Sequence, residues 1–231
     1  MHEDEELKNP LHIGTIESLC AAKLPAIVSR FREHHPQVKL QITVGTPEEL
    51  IRMMEHDQLD IIYILDAPRW SESWVKAMEV AEPVVFVASP AFWAQKYAEC
   101  EKNGTVKWRT KTVGQEEISV RQITLDQILQ EPFFLTEKNA NYRQALDQHL
   151  ASCRCCLSPV LEISDTAFII QMLEQSRGLS FLPLFAVQKQ IWEGTLAAVE
   201  VDDVEISMYR QIFYHKNKFR TREMEQFITF A

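Results

Sequence analysis

Hydroxyl and amide side chains recur where a predicted strand gives way to a predicted helix. The candidate ligand contacts are Thr15, Ser18, Thr46 and Pro47 in the first half and Thr136, Asn139, Ser164 and Thr166 in the second. Helix starts expose backbone N–H groups that have no helical acceptor, and nearby hydroxyls add further donors. This pattern favours a carboxylate or another small anion as ligand. Phe181 is a candidate wall of the same site, although a buried strand-end aromatic residue is an equally ordinary explanation.

Several of these polar side chains also have a purely structural explanation. Ser18 and Thr46 suit helix N-caps, and for Thr46 capping alone and ligand contact are equally well supported. Asp165 is interpreted as a cap rather than a ligand. Arg143 is interpreted as a surface or ion-pair residue rather than an anion clamp.

Three cysteines stand close together at Cys153, Cys155 and Cys156, and Cys20 and Cys100 lie elsewhere. The C-x-C-C spacing matches none of the closed zinc patterns, and no histidine motif follows at ligand distance. An odd total is a poor disulfide framework, so we expect thiols in a reducing compartment. Metal binding is disfavoured, and redox sensing is slightly more favoured than metal binding.

Enzyme signatures are absent from the sequence. It contains no G-x-G-x-x-G, Walker loop, H-E-x-x-H or G-x-S-x-G, and its seven histidines are scattered. Glu17 opens a predicted helix and Asp60 opens a buried strand, which explains both carboxylates without catalysis. We therefore expect no enzyme activity, no cofactor and no metal. The net charge of −9 argues against duplex DNA binding by this chain, because such affinity comes mainly from Lys and Arg.

The length and composition fit a globular protein inside the cell. The chain has 231 residues, enough for one large α/β domain or two small lobes. No apolar run is long enough to cross a bilayer, and the acidic opening is unlike an export signal. We therefore expect a cytoplasmic protein without a membrane partner.

Strand and helix patterns alternate in the first half of the chain. Strands are predicted at 11–16, 39–44 and 59–65, the last of them nearly continuous in apolar character. Pro25 predicts a kink or a late start in the first helix. Thr46, Pro47 and Glu49 supply the cap, the proline and the capping-box carboxylate of the next helix. The order βαβαβ favours a parallel sheet.

The alternation restarts in the second half. Strands are predicted at 83–87, 133–136, 160–163, 179–182 and 207–215, and helices follow Thr124, Asn141, Thr166 and Thr221. The acidic opening and the polar stretch 99–117 are expected to be solvated surface segments.

Five sequence blocks, in order and spacing, resemble the regulatory domain of LysR-type transcriptional regulators. They are LHIGTIESL, LPAIVSRFREHHPQVKLQITVGTPEELIRMM, LDIIYIL, EPVVFVASP and LEISDTAFIIQMLEQSRGLSFLPLFAV. The resemblance runs from about Leu11 to Phe230. Residues 99–123 are longer and more polar than the corresponding family connection. The family's winged helix-turn-helix and linker helix, which would precede Leu11, are not in this sequence, as expected of a truncated or a naturally stand-alone domain.

The resemblance implies an α/β fold with two Rossmann-like lobes joined by two crossing strands, the type 2 periplasmic-binding-protein fold. Residues 1–10 would be a linker remnant, 11–87 with 208–231 lobe I, and 88–207 lobe II. A small-molecule effector would bind in the cleft between the lobes, with Thr15 and Ser18 in the family's effector loop. Its binding would switch the DNA-bound oligomer, with DNA contacted by the helix-turn-helix.

The main alternative is a solute-binding protein for transport, which shares this fold. The absence of an export signal and the odd number of thiols count against it.

The resemblance also implies a homodimer and leaves a tetramer of the full-length protein open. Regulatory domains of the family pair antiparallel, the first helix of one lobe lying against the helix of the other lobe in the partner. Ile27 on the first helix and Ile170 on the later helix are the predicted outward positions. The alternative is that both helices are simply buried against their own sheets.

Overall fold

The computed structural model describes residues 7–102, 107–113, 116–175, 178–202, 204 and 206–231, so the acidic opening predicted to be a surface segment lies outside the described residues. The chain divides into two compact units, Met1–Ala81 with Tyr209–Ala231, and Glu82–Met208. In the part of the chain described here, no helix is long and apolar enough to cross a membrane.

Strands and helices alternate along both units. In chain order they are β1 (Leu11–Thr15), α1 (Glu17–Ala22), α2 (Leu24–His34), β2 (Leu40–Val44), α3 (Pro47–Glu55), β3 (Ile61–Asp66), β4 (Trp74–Ala88), α4 (Pro90–Lys102), β5 (Lys107–Val113), β6 (Glu116–Ile123), α5 (Leu125–Ile128), β7 (Phe134–Leu135), α6 (Asn141–Ser152), β8 (Leu161–Glu162), α7 (Thr166–Gln175), β9 (Leu179–Pro183), α8 (Leu184–Glu193), β10 (Ala197–Val201), β11 (Ser207–His215) and α9 (Arg222–Phe230). The chain passes between the units within β4 and within β11.

The sheet of the first unit has the order β2-β1-β3-β11. The strand β1 pairs in parallel with β2 and β3, as the sequence predicts, and β11 pairs antiparallel with β3. All six residues of β3 are buried, which explains its continuous apolar character. A Cβ atom at Gly14 would lie 2.5 Å from Leu59 and 2.9 Å from Leu50, so glycine allows their side chains to pack on β1.

The first helical stretch is broken at Lys23, between α1 and α2. Pro25 occupies the first turn of α2, where its missing N–H costs nothing, so the predicted late start is confirmed.

The prediction that Ile27 and Ile170 point outward is wrong. Ile27 is 4% exposed and Ile170 is 9% exposed. Both belong to the apolar face of their helix, and that face packs against the helix's own unit. The exposed large apolar residue of α7 is instead Phe168, at 40%.

The second unit contains a five-stranded sheet and a separate two-stranded one. In the larger sheet β4 pairs antiparallel with β9 and β10, and β10 continues through β6 to β5. The small sheet is the parallel pair β7 and β8. Gly194 ends α8 in the left-handed conformation, with φ of 73°.

The described side chains of the polar segment 99–117 agree with the prediction of a solvated segment, because Lys102 and Thr110 are exposed, although the segment forms regular structure. The helix α4 extends to Lys102, and β5 pairs with β6 from Lys107↔Gln122 to Val113↔Glu116. The strand β6 is also anchored to β10, with Val120 and Ile123 buried. Non-local pairing therefore overrides the polar composition of the segment.

Candidate functional site

The carboxyl edge of the first unit's sheet brings two of the predicted site residues together. Thr15 ends β1 and is paired with Val44 of β2, and the N–H of Gly45 donates a 3.1 Å hydrogen bond to the carbonyl of Thr15. Thr46 follows directly. The hydroxyl of Thr15 is fully buried and donates a 2.9 Å hydrogen bond to the carbonyl of Tyr63. This hydroxyl is therefore already used inside the unit.

Ser18 presents a buried hydroxyl without an internal partner. Its side chain is 3% exposed, and its Oγ has no hydrogen-bond partner. The N-cap of α1 is Ile16, so the capping explanation of Ser18 is not supported. A buried hydroxyl without a partner is energetically costly, which makes it a candidate for binding a ligand.

Thr46 forms a complete capping box with Glu49. Its hydroxyl donates to the Glu49 carboxylate at 2.9 Å and accepts from the Glu49 N–H at 3.4 Å. Hydrogen bonds from the backbone N–H and the hydroxyl of Thr46 lower the pKa of Glu49. Pro47 is buried in the first turn of α3. Capping accounts for the Thr46 hydroxyl.

An ion-pair network that the sequence does not reveal lies at the same edge. Asp66 ends β3, is 6% exposed, and pairs with Arg69, whose guanidinium also reaches Glu48 of α3 at 2.9 Å. Burial raises the pKa of Asp66, and the positive charge of Arg69 opposes that rise. The amide of Gln211 accepts from the N–H of Arg69. The one local sequence feature that could have indicated this ion pair is the Asp-x-x-Arg spacing after an apolar strand.

The carboxyl edge of the small sheet in the second unit gathers Thr136, Ser164 and Thr166. In the parallel pair, Leu135 is the register partner of Glu162, and the N–H of Ile163 donates to the carbonyl of Leu135 at 3.1 Å. The chain segments after both strands therefore begin side by side.

Thr136 carries the second buried hydroxyl without an internal partner. The residue is 4% exposed, and its Oγ1 has no hydrogen-bond partner. Its carbonyl accepts a 2.9 Å hydrogen bond from Arg143, which is 2% exposed and also paired with Asp147 at 3.0 Å and Glu162 at 3.5 Å. The prediction that Arg143 is an ion-pair residue is confirmed, although it is buried rather than on the surface.

The other predicted contacts of the second unit differ in burial. Asn139 and Ser164 are exposed, whereas Thr166 is 3% exposed. Asp165 accepts from the N–H of Phe168 at 2.9 Å, which confirms its role as the cap of α7.

The chain matches the LysR substrate binding domain over residues 4–101 and 116–231. The chain belongs to this family. The transcriptional activator CmpR of Synechocystis is 21% identical over 195 residues, which are 84% of this chain and 56% of CmpR. The chain spans about 60% of the length of the first curated relatives that it matches. These matches are to transcriptional regulators, and family membership confirms the expectation of a non-enzymatic domain.

Solved LysR regulatory domains share the fold. The Synechocystis CcmR regulatory domain in complex with 2-PG has a TM-score of 0.70 at 16% identity, covering 96% of this chain and 95% of that one. The effector binding domain of QuiR in complex with shikimate has a TM-score of 0.68 at 11% identity, covering 97% and 95%. The predicted mixed α/β fold of the type 2 periplasmic-binding-protein kind is confirmed.

Phe181 of this LysR domain lies in the aromatic core of the second unit. It is 3% exposed, and its ring centroid is 4.8 Å from that of Phe86, which in turn contacts Phe133. The neighbouring Ser180 on β9 is fully buried, and its Oγ has no partner. Sequence reasoning missed Ser180, although one hydroxyl within an apolar strand is a detectable signal.

An open depression of about 550 Å³ lies beside the edge strand β2 of the LysR domain. Its lining includes Val44, Glu49, Arg52 and His56, but neither Thr15 nor Ser18. No lining residue carries a buried polar atom without a partner. This surface therefore includes neither the Thr15 nor the Ser18 hydroxyl, although Glu49, the capping partner of Thr46, lines it.

Proposed function

We propose that this chain is the effector-sensing module of a LysR-type transcription regulator and binds a small anionic molecule in the cleft between its two lobes. In the full-length protein, effector binding would change the conformation of the DNA-bound oligomer. Only a ligand with different affinities for two states can drive such a change. The observation that carries the proposal is the pair of buried, unpartnered hydroxyls at Ser18 and Thr136.

Each of these hydroxyls stands at a carboxyl edge of a sheet in its own unit, where open α/β sheets bind ligands. Burying a hydroxyl without a hydrogen bond costs free energy, which a ligand acceptor would recover. Thr15 and Thr46 are weaker candidates for direct contact, because their hydroxyls bond to Tyr63 and Glu49.

The proposed anion would be held by hydroxyls and backbone N–H groups rather than by a guanidinium. Arg69 is engaged by Asp66 and Glu48, and Arg143 by Asp147 and Glu162. The starts of α3 and α7 supply further N–H donors. The complexes of CcmR with 2-PG and of QuiR with shikimate support a small polar effector.

We also propose that the domain forms a homodimer. For the full-length protein, a tetramer built from such dimers is a further option. The exposed large apolar side chains include Phe168 of α7 at 40%, and Ile42 and Val44 of the edge strand β2 at 38% and 51%. Exposed apolar residues on an edge strand and a helix favour a self-complementary interface.

The effector site is tested by screening small carboxylates by thermal shift and then comparing Ser18→Ala and Thr136→Val. Both variants remove an unpaired hydroxyl, so the unliganded protein should be as stable as the wild type or slightly more stable. Effector affinity should fall about two- to tenfold in each, the net worth of one hydrogen bond.

Thr15→Val is the matched control, because it removes a hydroxyl that is bonded internally. It should destabilise the unliganded protein by about 1 kcal/mol. Unchanged affinity in both Ser18→Ala and Thr136→Val would remove these hydroxyls from the site. A transport role would be favoured if the gene encoded an export signal upstream instead of a helix-turn-helix.

A further inference from the structure

The helix α6 ends in a turn that carries three thiols. The N–H of Cys153 donates to the carbonyl of His149 at 3.2 Å, and the N–H of Cys155 donates to that of Leu150 at 2.8 Å. Arg154 between them adopts φ of 58°, in the left-handed region that a residue with a side chain rarely occupies. The turn exposes Cys153 and Cys156 to solvent.

Cys153 contacts the imidazole of His149, one helical turn earlier. The Cys153 Sγ lies 4.0 Å from the His149 Nε2, and the Ser152 hydroxyl lies 3.8 Å from the same sulfur. Ser152 is itself oriented by donating to the carbonyl of His149 at 2.6 Å. An imidazole beside an exposed thiol is the arrangement that promotes thiolate reactivity, because it accepts the proton and stabilises the anion.

The two neighbouring thiols are not equivalent as partners for Cys153. The sulfur of Cys155 is half-buried and donates to the carbonyl of Cys153 at 3.4 Å. Cys156 is exposed and stands three residues after Cys153, which is the C-x-x-C spacing of redox-active cysteine pairs. It lies in the segment between α6 and β8, where no helical or strand hydrogen bonds fix it.

We propose that Cys153 is an oxidant-reactive thiol that hydrogen peroxide converts to a sulfenic acid, and that Cys156 resolves it as a Cys153–Cys156 disulfide. His149 takes the proton of Cys153, and the thiolate attacks a peroxide oxygen. The O–O bond breaks, an S–O bond forms, and the departing oxygen leaves as water after protonation. The thiol of Cys156 then attacks the oxidised sulfur and displaces a second water. Two thiols lose two electrons, and one hydrogen peroxide becomes two waters.

This site is independent of the effector proposal. Metal binding is a poorer explanation, because no group of three or more His, Cys, Asp or Glu among the described residues is arranged to hold an ion. Cys20 serves as an internal reference thiol, since burial and the nearby charge of Glu17 raise its pKa.

The test treats the whole chain with one equivalent of hydrogen peroxide, blocks remaining thiols and digests with trypsin without reduction. Trypsin cuts after Arg154, so a Cys153–Cys156 disulfide joins the peptides 144–154 and 155–177. We expect this joined species, its separation on reduction, and Cys20 still reduced. A vicinal Cys155–Cys156 bond would instead stay within one peptide, and finding only that bond would overturn the proposal.

Four variants complete the test. Cys155→Ser should keep the joined peptides, whereas Cys156→Ser should abolish them and leave a sulfenic acid on Cys153 that dimedone traps. Cys153→Ser should show neither product. His149→Gln should slow oxidation of Cys153 about tenfold. This is a smaller effect than the loss of an acid–base group in an enclosed active site, because water can also accept the proton at this open site. Equal rates for Cys153 and Cys20, or an unchanged rate in His149→Gln with unchanged thermal stability, would refute the assignment.

Discussion

The guanidinium of Arg143 donates a 2.9 Å hydrogen bond to the carbonyl oxygen of Thr136, seven residues earlier in the chain. Both residues are buried, and the remaining polar contacts of Arg143 go to Asp147 and Glu162. The bond holds the end of β7 against the first turns of α6. Arg143 therefore positions the Thr136 hydroxyl that we propose as an effector contact.

We expect Arg143→Met to destabilise the domain by about 2 kcal/mol and to weaken effector binding. The substitution leaves the Thr136 carbonyl buried and unpaired, while the partner carboxylates at 35% and 39% exposure remain partly hydrated. Urea unfolding measures the first effect, and calorimetric titration the second. Asp147→Asn, which keeps an acceptor, should cost under about 1 kcal/mol. Equal losses in both variants would contradict a positioning role for Arg143.

Thr46→Ala separates capping from ligand contact, the two explanations that the sequence left open. Because the hydroxyl is used by the Glu49 capping box, the variant should lose about 1 kcal/mol of stability with unchanged effector affinity. Thr46→Ser should restore the stability. A large loss of affinity at unchanged stability would instead make Thr46 a contact.

The hydrogen bonds that Glu223 accepts from residues near the start of the chain should make the free energy of unfolding depend on pH. It is 2% exposed and accepts from the N–H groups of Lys8 and Asn9 and from the Asn9 amide at 3.0 Å. Burial would raise the pKa of Glu223, but the hydrogen bonds outweigh it and lower the pKa. A lowered folded-state pKa stabilises the fold above the unfolded value and loses that contribution as pH falls.

Glu223→Gln should therefore be less stable than the wild type by about 1 kcal/mol at pH 7, because neutral hydrogen bonds replace charge-assisted ones. The difference should shrink as pH falls below about 4.3, the ordinary pKa of Glu, because the carboxylate protonates there in the unfolded chain and only at lower pH in the folded protein. Urea midpoints at several pH values measure it. A difference that does not change with pH would mean that Glu223 is not ionised in the folded protein.

Phe168→Glu should shift the protein from dimer to monomer in light scattering, because a charge buried in an interface is costly while an exposed one is tolerated. Trp192→Glu, at another exposed aromatic residue on α8, is the control and should leave the mass unchanged. Ile170→Glu should lower the thermal stability of the monomer itself, since Ile170 is buried in its own unit. A monomeric wild type at high micromolar concentration would end the dimer proposal.

The chain by itself should bind duplex DNA weakly at moderate salt. Its net charge is −9, and most affinity for duplex DNA comes from cationic side chains that neutralise phosphates. Fluorescence anisotropy with labelled duplexes at about 0.15 M salt tests this. At that salt concentration the Debye length is about 8 Å, so charges farther apart are largely screened. Sequence-specific submicromolar binding would contradict it.

The sequence by itself determined the α/β alternation, the parallel β1 pairing and the capping box at Thr46. These features depend on signals within a few residues: the period of apolar positions, a cap three residues before a carboxylate, and a proline in the first turn. The prediction of β11 over 207–215 agrees with the strand Ser207–His215 for the same reason. Because the residues that determine these features are close in sequence, the features can be predicted without knowledge of the tertiary structure.

Tertiary structure alone decided which hydroxyls are used internally. Thr15 finds the carbonyl of Tyr63, 48 residues away, whereas Ser18 and Thr136 find no internal partner. It also decided that Ile27 and Ile170 face inward and that β5 and β6 pair despite their polar composition. Each of these outcomes depends on distant segments that compete for the same hydrogen bonds and the same apolar surface. The spacing of residues along the sequence does not show which of these competing contacts forms.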